Sequence, residues 1–272
     1  MSAVPIVGSV DTQELLRACL SFERTWSETG SVVRTTPYGA TVRNDRYPRI
    51  HMANLAWVER LPRGGIDEVL ADLDAALEGS AVRHRNVVFE DAQVAFENQE
   101  AFAARGFQPL GELAMARVGL PACIANPDVV IREVGQGAPE ADYRRLRMRI
   151  YEGLEYSPDE SEQLYAIARD HGAIHGEHDY VGYVESTPAA TISLWPRGRF
   201  ASIGDVATMP EFRNRGVGRT LVFEISKRAL AAGCEYSVLF TDLLDSPRVM
   251  YQTLGYQPVG EIRSFLKVEA PA

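Results

Sequence analysis

Three arginines and two glycines lie in one octet, Arg213-Asn214-Arg215-Gly216-Val217-Gly218-Arg219-Thr220. The glycines remove side chains where an anion must approach the backbone, and the arginines supply positive charge. A strand-like run, Phe200 to Met209, precedes the octet, and apolar residues at helical spacing follow from Val217: Leu221, Ile225 and Ala229. The first N–H groups of a helix have no partner within it and lie at the positive end of its dipole. The octet therefore predicts a site for a phosphorylated cofactor, with a surface turn of solvated arginines as the alternative.

Two common phosphate-binding motifs do not fit this octet. A dinucleotide fingerprint needs a third glycine where Leu221 stands, and a Walker loop needs Gly-Lys-Ser or Gly-Lys-Thr, which the octet lacks. The octet resembles instead the R/Q-x-x-G-x-G/A signature of the GNAT N-acetyltransferase superfamily, together with a preceding strand that ends in Val-Ala-x-x-Pro. The resemblance implies that the backbone amides of this loop hold the pyrophosphate of acetyl-CoA.

The same resemblance implies that the end of the preceding strand separates from its neighbour and pairs with the pantetheine arm. The alternative for these residues is a strand that is paired on both sides. The predicted cofactor-binding set joins the strand end to the octet: Val206, Ala207, Thr208, Arg213, Asn214, Arg215, Gly216, Val217, Gly218, Arg219 and Thr220.

Acetyl transfer from a thioester to an amine needs a neutral amine, close alignment, support for the oxyanion and a proton for the thiolate. The stretch from Val249 to Tyr256 resembles the Y-x-x-x-G-F/Y element of the family, and the resemblance implies that Tyr251 supplies that proton. A core aromatic residue with a satisfied hydroxyl is the alternative. The family usually has an asparagine about two turns earlier, where this chain reads Leu243-Leu244-Asp245-Ser246.

Two carboxylates are candidates for accepting the amine proton. Asp205 lies on the strand before the octet and Asp242 at the end of the next strand, near where the family has its base or a water relay. Each could equally be a turn carboxylate or an ion-pair partner. Solvent can also take the proton of a well-placed amine, so a dedicated base is not required. Asp205 is the carboxylate that we include in the predicted catalytic set with Tyr251.

A group of histidines and acids has residue types that bind metal ions: His171, His175, Glu177, His178 and Asp179. Gly172 and Gly176 are expected to interrupt the helix that would align the first two histidines, and the transfer needs no metal. The sequence therefore predicts no metal here, and a solvated loop near the mouth of the acceptor site.

The elements that must position the octet follow the order of the GNAT fold. In the second half, patterns predict strand 129–134, helices 140–152 and 159–169, and strands 180–185, 189–195 and 200–209. In the first half they predict helix 11–26, strands 38–43 and 50–58, a helix around 66–77, strand 87–90, helix 97–105 and strand 113–118.

An internal repeat relates the two halves. Residues 106–113 (Gly-Phe-Gln-Pro-Leu-Gly-Glu-Leu) match 255–262 (Gly-Tyr-Gln-Pro-Val-Gly-Glu-Ile) at an offset of 149 residues. In place of the octet the first half has Glu59 to Gly65, in which Pro62 lacks an N–H. We therefore predict an α/β (mixed α+β) fold of two tandem GNAT-like units, each a mostly antiparallel mixed sheet flanked by helices. Residues 1–120 form a degenerate copy without a cofactor loop, and residues 128–272 form the acetyl-CoA-binding domain.

The composition limits the classes of molecule that the protein is expected to bind. A net charge of −9 and an isoelectric point near 5.2 argue against nucleic acid and permit a cationic substrate. Three cysteines and no apolar run near the roughly 20 residues of a membrane helix favour a cytoplasmic protein, monomeric or homodimeric, without membrane contact. We expect a small-molecule amine acceptor, with specificity set between Tyr151 and Tyr180. The sequence leaves open a peptide amine acceptor, a larger acyl group and a non-catalytic acetyl-CoA sensor.

Overall fold

The computed structural model of the chain describes residues 10–121, 123–243 and 247–269. Its contacts divide the chain into two compact units. The octet unit comprises Met1–Cys19 and Ala114–Val259, and the N-terminal unit comprises Leu20–Leu113 and Gly260–Ala272. Each unit has its own buried core.

The helices and strands follow in chain order. The first half contains α1 (Thr12–Glu28), β1 (Val32–Thr36), β2 (Gly39–Arg43), β3 (Leu55–Val58), α2 (Gly65–Leu77), β4 (His84–Phe89), α3 (Ala92–Glu97), α4 (Gln99–Ala103) and β5 (Gln108–Val118). The second half contains β6 (Val129–Glu133), α5 (Glu140–Gly153), α6 (Pro158–His175), β7 (His178–Val184), β8 (Thr187–Arg197), β9 (Phe200–Thr208), α7 (Val217–Ala231), β10 (Tyr236–Asp242), α8 (Pro247–Thr253) and β11 (Gln257–Val268). No helix in the described ranges is long and apolar enough to cross a membrane.

The octet unit has the strand order β10-β9-β8-β7-β6. Strands β6 to β9 pair antiparallel, and β9 pairs parallel with β10. Helix α5 packs on β7 through a cluster that includes Tyr143, Leu146 and Val181. Helix α7 packs so closely on β7 that a Cβ added to Gly182 would lie 2.7 Å from a methyl group of Leu221. The predicted strand before the octet and helix after it are both confirmed.

The N-terminal unit has the strand order β1-β2-β3-β4-β11. All its pairs are antiparallel except β3 with β4. Phe102 lies at the centre of its core, stacked on Phe265 with ring centroids 4.1 Å apart and edge-on to Phe89. The unit therefore buries an aromatic cluster against its parallel strand pair.

The division into units differs from the expected division into residues 1–120 and 128–272. Residues 260–272 group with the N-terminal unit because β11 pairs antiparallel with β4, where Arg263 lies opposite Phe89 and Val268 opposite His84. Strand β11 is long enough, at 12 residues, to begin in one unit and end in the other.

Several predicted elements are wrong in their bounds; the helix predicted at 97–105, for example, is α3 followed by α4. Two of the differences have a clear physical reason. Helix α6 continues through Gly172 to His175, because a glycine inside a helix costs only about 1 kcal/mol and Gly172 is buried there. The predicted strand 50–58 is a 3₁₀ turn over His51–Ala53 followed by β3. The turn is held by the side chain of Asn54, which donates to the carbonyls of Tyr47 and Ile50.

Candidate cofactor and acceptor site

The octet turns directly into helix α7. Gly216 is the residue before the helix and has a φ of 73°, a left-handed conformation that glycine adopts without strain. In the described residues no side chain caps this helix end. The N–H groups of Val217, Gly218 and Arg219 therefore lie at the positive end of α7 with no intrahelical partner.

Thr220 and Asn126 hold the octet in shape. The hydroxyl of Thr220 donates to the carbonyl of Gly216 (2.9 Å) and accepts from the N–H of Asn126 (2.8 Å). The side-chain amide of Asn126 donates to the carbonyl of Arg215 (3.0 Å). The Thr220 N–H also bonds to the Gly216 carbonyl (3.0 Å). Thr220 was expected to bind the cofactor, but both its polar donors are engaged within the chain, so its part is to build the loop.

The other residues of the octet divide by exposure. The side chain of Val217 is buried, whereas Asn214 and the three arginines are exposed. Arg213 donates to the carbonyl of Thr208 (3.1 Å), and Arg215 lies over the ring of Phe212. Positive charge therefore surrounds the uncapped helix end.

A side chain at position 218 would be tight against β9 and in contact with α8. A Cβ there would lie 3.2 Å from the hydroxyl of Thr208 and 3.7 Å from the sulfur of Met250. The start of α7, the end of β9 and the middle of α8 therefore meet at one point.

A cleft opens between β9 and β10 beside this point. Their parallel pairing covers Phe200, Ala201 and Ser202 of β9 and ends at the pair Val238 and Ser202. Strand β9 continues to Thr208, paired with β8 on its other side. Val206, Ala207 and Thr208 are partly exposed and lie beyond the last pair between β9 and β10. That their backbone pairs with a pantetheine arm stays a prediction.

A bulge interrupts β9 at Asp205. The register with β8 shifts between Thr191 and Ser193, and Asp205 has a φ of 53°. Its carbonyl accepts from the hydroxyl of Thr191 (2.9 Å). Its carboxylate forms an ion pair with the buried side chain of Arg147 (2.7 Å). The carboxylate of Asp205 is thus held by a buried guanidinium group.

Tyr251 lies on α8 and is 5% exposed. Burial, followed by the nearby Tyr256, raises the pKa of its hydroxyl, so the group stays protonated at neutral pH. The adjacent residue, Met250, is the one that approaches Gly218, which places the helix of Tyr251 beside the octet. The predicted start of this helix at Ser246, like Leu244 and Asp245, lies outside the described residues.

Sequence reasoning missed a group of side chains on helix α5. Tyr143, Arg147 and Tyr151 are buried at a spacing of four residues, which places them on one face of the helix. Arg147 donates to the hydroxyl of Tyr151 (2.6 Å), and the hydroxyl of Tyr143 donates to Asp179 (2.9 Å). The spacing of four residues is visible in the sequence. From sequence alone, however, an arginine between two tyrosines on a helix is interpreted as part of a solvated face.

The three histidines have different surroundings. His178 pairs with Glu133 (2.8 Å), the ring of His175 packs on Trp195, and His171 is buried in α6. The expected solvated loop is wrong at this place, because Asp179 is also buried, at 7% exposure. Asp179 is held by Tyr143 and by an ion pair with Arg169.

Comparisons with known proteins give one family match and several similar structures. Residues 141–256 match the Acetyltransferase (GNAT) family. No curated protein sequence matches the chain. A conserved protein of unknown function from Staphylococcus epidermidis has a similar structure, with a TM-score of 0.67, 16% identity, and 87% of this chain and 93% of that chain covered.

Two other similar structures are of proteins described as a GCN5-related N-acetyltransferase and a tandem GNAT protein. A GCN5-related N-acetyltransferase from Kribbella flavida gives a TM-score of 0.64 at 13% identity and covers 99% of this chain and 98% of its own. A tandem GNAT protein from the clavulanic acid biosynthesis pathway gives 0.58 at 13% identity, with 92% and 88% covered. At these identities the likenesses show the fold, which is the predicted mixed α/β fold of the GCN5-related acetyltransferases.

Proposed function

We propose that this chain transfers an acetyl group from acetyl-CoA to a primary amine of a small molecule. The segment that matches the acetyltransferase (GNAT) family lies in its second half. The observation that carries the proposal is the divergence of β9 from β10 beside the uncapped start of α7. A free strand edge that leads to a helix N-terminus suits a ligand with an amide-bearing arm and a pyrophosphate.

The residues of this cleft have distinct parts in the proposal. The N–H groups of Val217, Gly218 and Arg219 receive the pyrophosphate, and Arg213 and Arg215 add positive charge. The backbone of β9 from Val206 to Thr208 pairs with the pantetheine arm. Acetyl-CoA supplies an activated thioester, and no metal is required.

Tyr251 donates its proton to the leaving sulfur. Its hydroxyl is protonated at neutral pH, and α8 lies against the octet at Gly218. The amine adds directly to the acetyl group in a ternary complex. The buried arginine that holds Asp205 makes that carboxylate an orienting group rather than the proton acceptor.

The N-terminal unit is proposed to be a degenerate copy that binds no cofactor. Its parallel strands stay paired to their ends, where Val58 lies opposite Phe89 and its carbonyl accepts from the N–H of Glu90 (3.0 Å). The N–H of Gly64, before α2, is already bonded to the carboxylate of Glu68 (3.0 Å). The parallel strand pair of this unit therefore offers no open edge at its end among the described residues, and Glu68 places negative charge where a phosphate would bind.

The repeat also replaces the proton donor. At the offset of 149 residues, Tyr251 corresponds to Phe102. The two residues have the same local geometry, because the N–H of Phe107 bonds to the Phe102 carbonyl (3.1 Å) as that of Tyr256 bonds to Tyr251 (3.0 Å). Phe102 has no hydroxyl and fills the core of its unit. The N-terminal copy thus keeps the local backbone geometry but lacks the hydroxyl group that would donate the proton.

A free-thiol assay with acetyl-CoA tests the function against polyamines, aminoglycosides, amino acids and peptides. We expect thiol release with one of the small amines and equimolar N-acetylated product by mass spectrometry. Release with peptides alone would replace the small-molecule acceptor by a peptide amine. Tight acetyl-CoA binding in calorimetry without release across the panel would overturn catalysis and leave a sensor.

A further inference from the structure

Three carboxylates and two guanidinium groups lie together beside the β9 bulge. Arg169 forms an ion pair with Asp179, and Arg147 with Asp205. The third carboxylate belongs to Glu177, which accepts a hydrogen bond from the neutral hydroxyl of Ser193. Glu140 also pairs with Arg169 (3.1 Å), so carboxylates outnumber guanidinium groups here, and Glu177 is the carboxylate of the group that forms no ion pair among the described residues.

Two close approaches fix the position of Glu177. It follows Gly176, the left-handed residue that ends α6, and its N–H bonds to the carbonyl of Gly172 (3.0 Å). A Cβ on Gly172 would lie 3.7 Å from the Cβ of Glu177 and 3.9 Å from its Oε2. The carboxylate therefore lies against a helix surface that has no side chain.

Ser193 connects Glu177 to the bulge. Its register partner on β9 is Gly204, and a Cβ on Gly204 would lie 2.9 Å from the Ser193 hydroxyl oxygen. Gly204 directly precedes Asp205, the bulged residue at the head of the free edge of β9. Because Gly204 has no side chain, the Ser193 hydroxyl can lie against β9, and this places Ser193 and its partner Glu177 beside the bulge at Asp205.

We propose that Glu177 accepts the proton of the acceptor ammonium, and that Arg147 and Asp205 form an orienting pair beside it. The proposal rests on the acetyltransferase function above. An ammonium group there balances the surplus negative charge. The ammonium gives one proton to the Glu177 carboxylate, and the neutral nitrogen then forms the N–C bond as the C–S bond breaks. Tyr251 protonates the sulfur, and the second nitrogen proton then passes through solvent to the resulting Tyr251 phenolate, which restores the tyrosine. Glu177 later releases its proton to solvent.

The titration of Glu177 agrees with this geometry. Burial, the largest cause, raises the pKa of Glu177 to about 7, and the charges of Asp205 and Asp179 act in the same direction. The hydrogen bond from Ser193 and the charge of Arg147 oppose the shift. A base whose pKa lies near the working pH is both available and strong enough to take a proton.

The test compares two amines small enough for any acceptor site: methylamine, which is protonated at pH 7, and hydroxylamine, which is neutral. Glu177→Gln keeps the shape of the side chain and removes its basicity. With methylamine we expect kcat/KM to fall by about 10²–10⁴ and the wild-type rise near pH 7 to disappear. With hydroxylamine we expect the same variant to stay within about tenfold of wild type, because no proton need be removed before attack. Glu235→Gln, an exposed acid paired with Arg199 in the same unit, is the matched control and should leave both reactions unchanged.

The outcomes separate the two proposals. Equal losses with both amines, an unchanged methylamine reaction, or wild-type turnover of hydroxylamine alone would each overturn the part given to Glu177. Absence of thiol release with both amines in a wild-type protein that binds acetyl-CoA would overturn the transferase itself, and Glu177 with it. Acetyl-CoA binding by calorimetry shows in every case that the variant is folded.

Discussion

At the residue scale, Tyr251 is the side chain whose removal should separate chemistry from binding. Its raised pKa keeps the hydroxyl protonated, and no other described residue forms a hydrogen bond with it that would have to break before donation. We expect Tyr251→Phe to lower kcat by about 100-fold and to leave the Kd for acetyl-CoA unchanged. The free-thiol assay and calorimetry measure the two quantities on the same preparation.

The neighbouring Tyr256 is the control for this substitution. It is also buried, but its hydroxyl is hydrogen-bonded to Ser237 (2.9 Å). Tyr256→Phe should therefore cost about 1 kcal/mol of stability and keep turnover. Full activity in Tyr251→Phe, or an equal loss in both variants, would contradict an acid role for Tyr251.

His84 makes the N-terminal unit sensitive to acid. Burial, the largest cause, lowers its pKa to about 3, and the nearby His51 and Arg85 add to the effect, while the Asn54 carbonyl opposes it. The folded-state pKa lies below the unfolded value, so the stability is complete above about pH 6.5 and is lost as the pH falls toward 3, at about 1.4 kcal/mol per pH unit. We expect the protection of the Val88 amide in hydrogen exchange to fall between pH 7 and pH 5.5 by about 1 kcal/mol more in wild type than in His84→Gln. Equal losses in the two proteins would contradict this assignment.

At the element scale, the start of α7 should contribute to cofactor affinity through charge. Arg219 is exposed in the first turn of α7, and Lys227 is an exposed cation further along the same helix, paired with Glu224. Arg219→Ala should raise the Kd for acetyl-CoA about fivefold, which is roughly 1 kcal/mol, whereas Lys227→Ala should leave it unchanged. Because the Debye length falls to about 3 Å at 1 M salt, the difference should shrink there. Equal Kd values for both variants in low-salt calorimetry would contradict the pyrophosphate position.

Elements with a regular pattern could be predicted, and those fixed by single side chains could not. Helix α7 was readable because Leu221, Ile225 and Ala229 recur at the helical period and are all buried. The 3₁₀ turn over His51–Ala53 depends on hydrogen bonds from the one side chain of Asn54, which no periodicity reveals.

The candidate site shows the same limit. The octet could be recognised from the sequence because alternating glycine and arginine before a helix has few explanations other than anion binding. Glu177, by contrast, looked like part of a solvated loop. Its importance comes mainly from residues distant in sequence, namely Ser193 and the ion pair of Asp205 with Arg147, together with the nearby Asp179. The burial of a carboxylate in the folded chain decides how readily it accepts a proton, and sequence spacing does not reveal that burial.

At the scale of the whole molecule, the repeat could be read from sequence but the grouping of its parts could not. Residues 106–113 and 255–262 match because both follow a helix through a left-handed glycine, Gly106 and Gly255, into a strand. Strands β5 and β11 then each pass a boundary between the compact units. A sequence division assigns each strand to the half that contains it, whereas backbone pairing assigns the end of β11 to β4.

The unequal halves lead to a prediction about stoichiometry. The N-terminal unit has paired parallel strands, an acidic helix start with Asp67 and Glu68, and Phe102 at the position of the proton donor. We therefore expect calorimetry of the full chain to give one acetyl-CoA per chain. A variant with Arg213, Arg215 and Arg219 all changed to Ala should weaken that single site without revealing a second one. Phe102→Tyr should add no second site either, because the strand edge beside it stays closed. Two sites in the wild type, or a site of unchanged affinity in the triple variant, would show that the N-terminal unit binds the cofactor and would contradict its degenerate assignment.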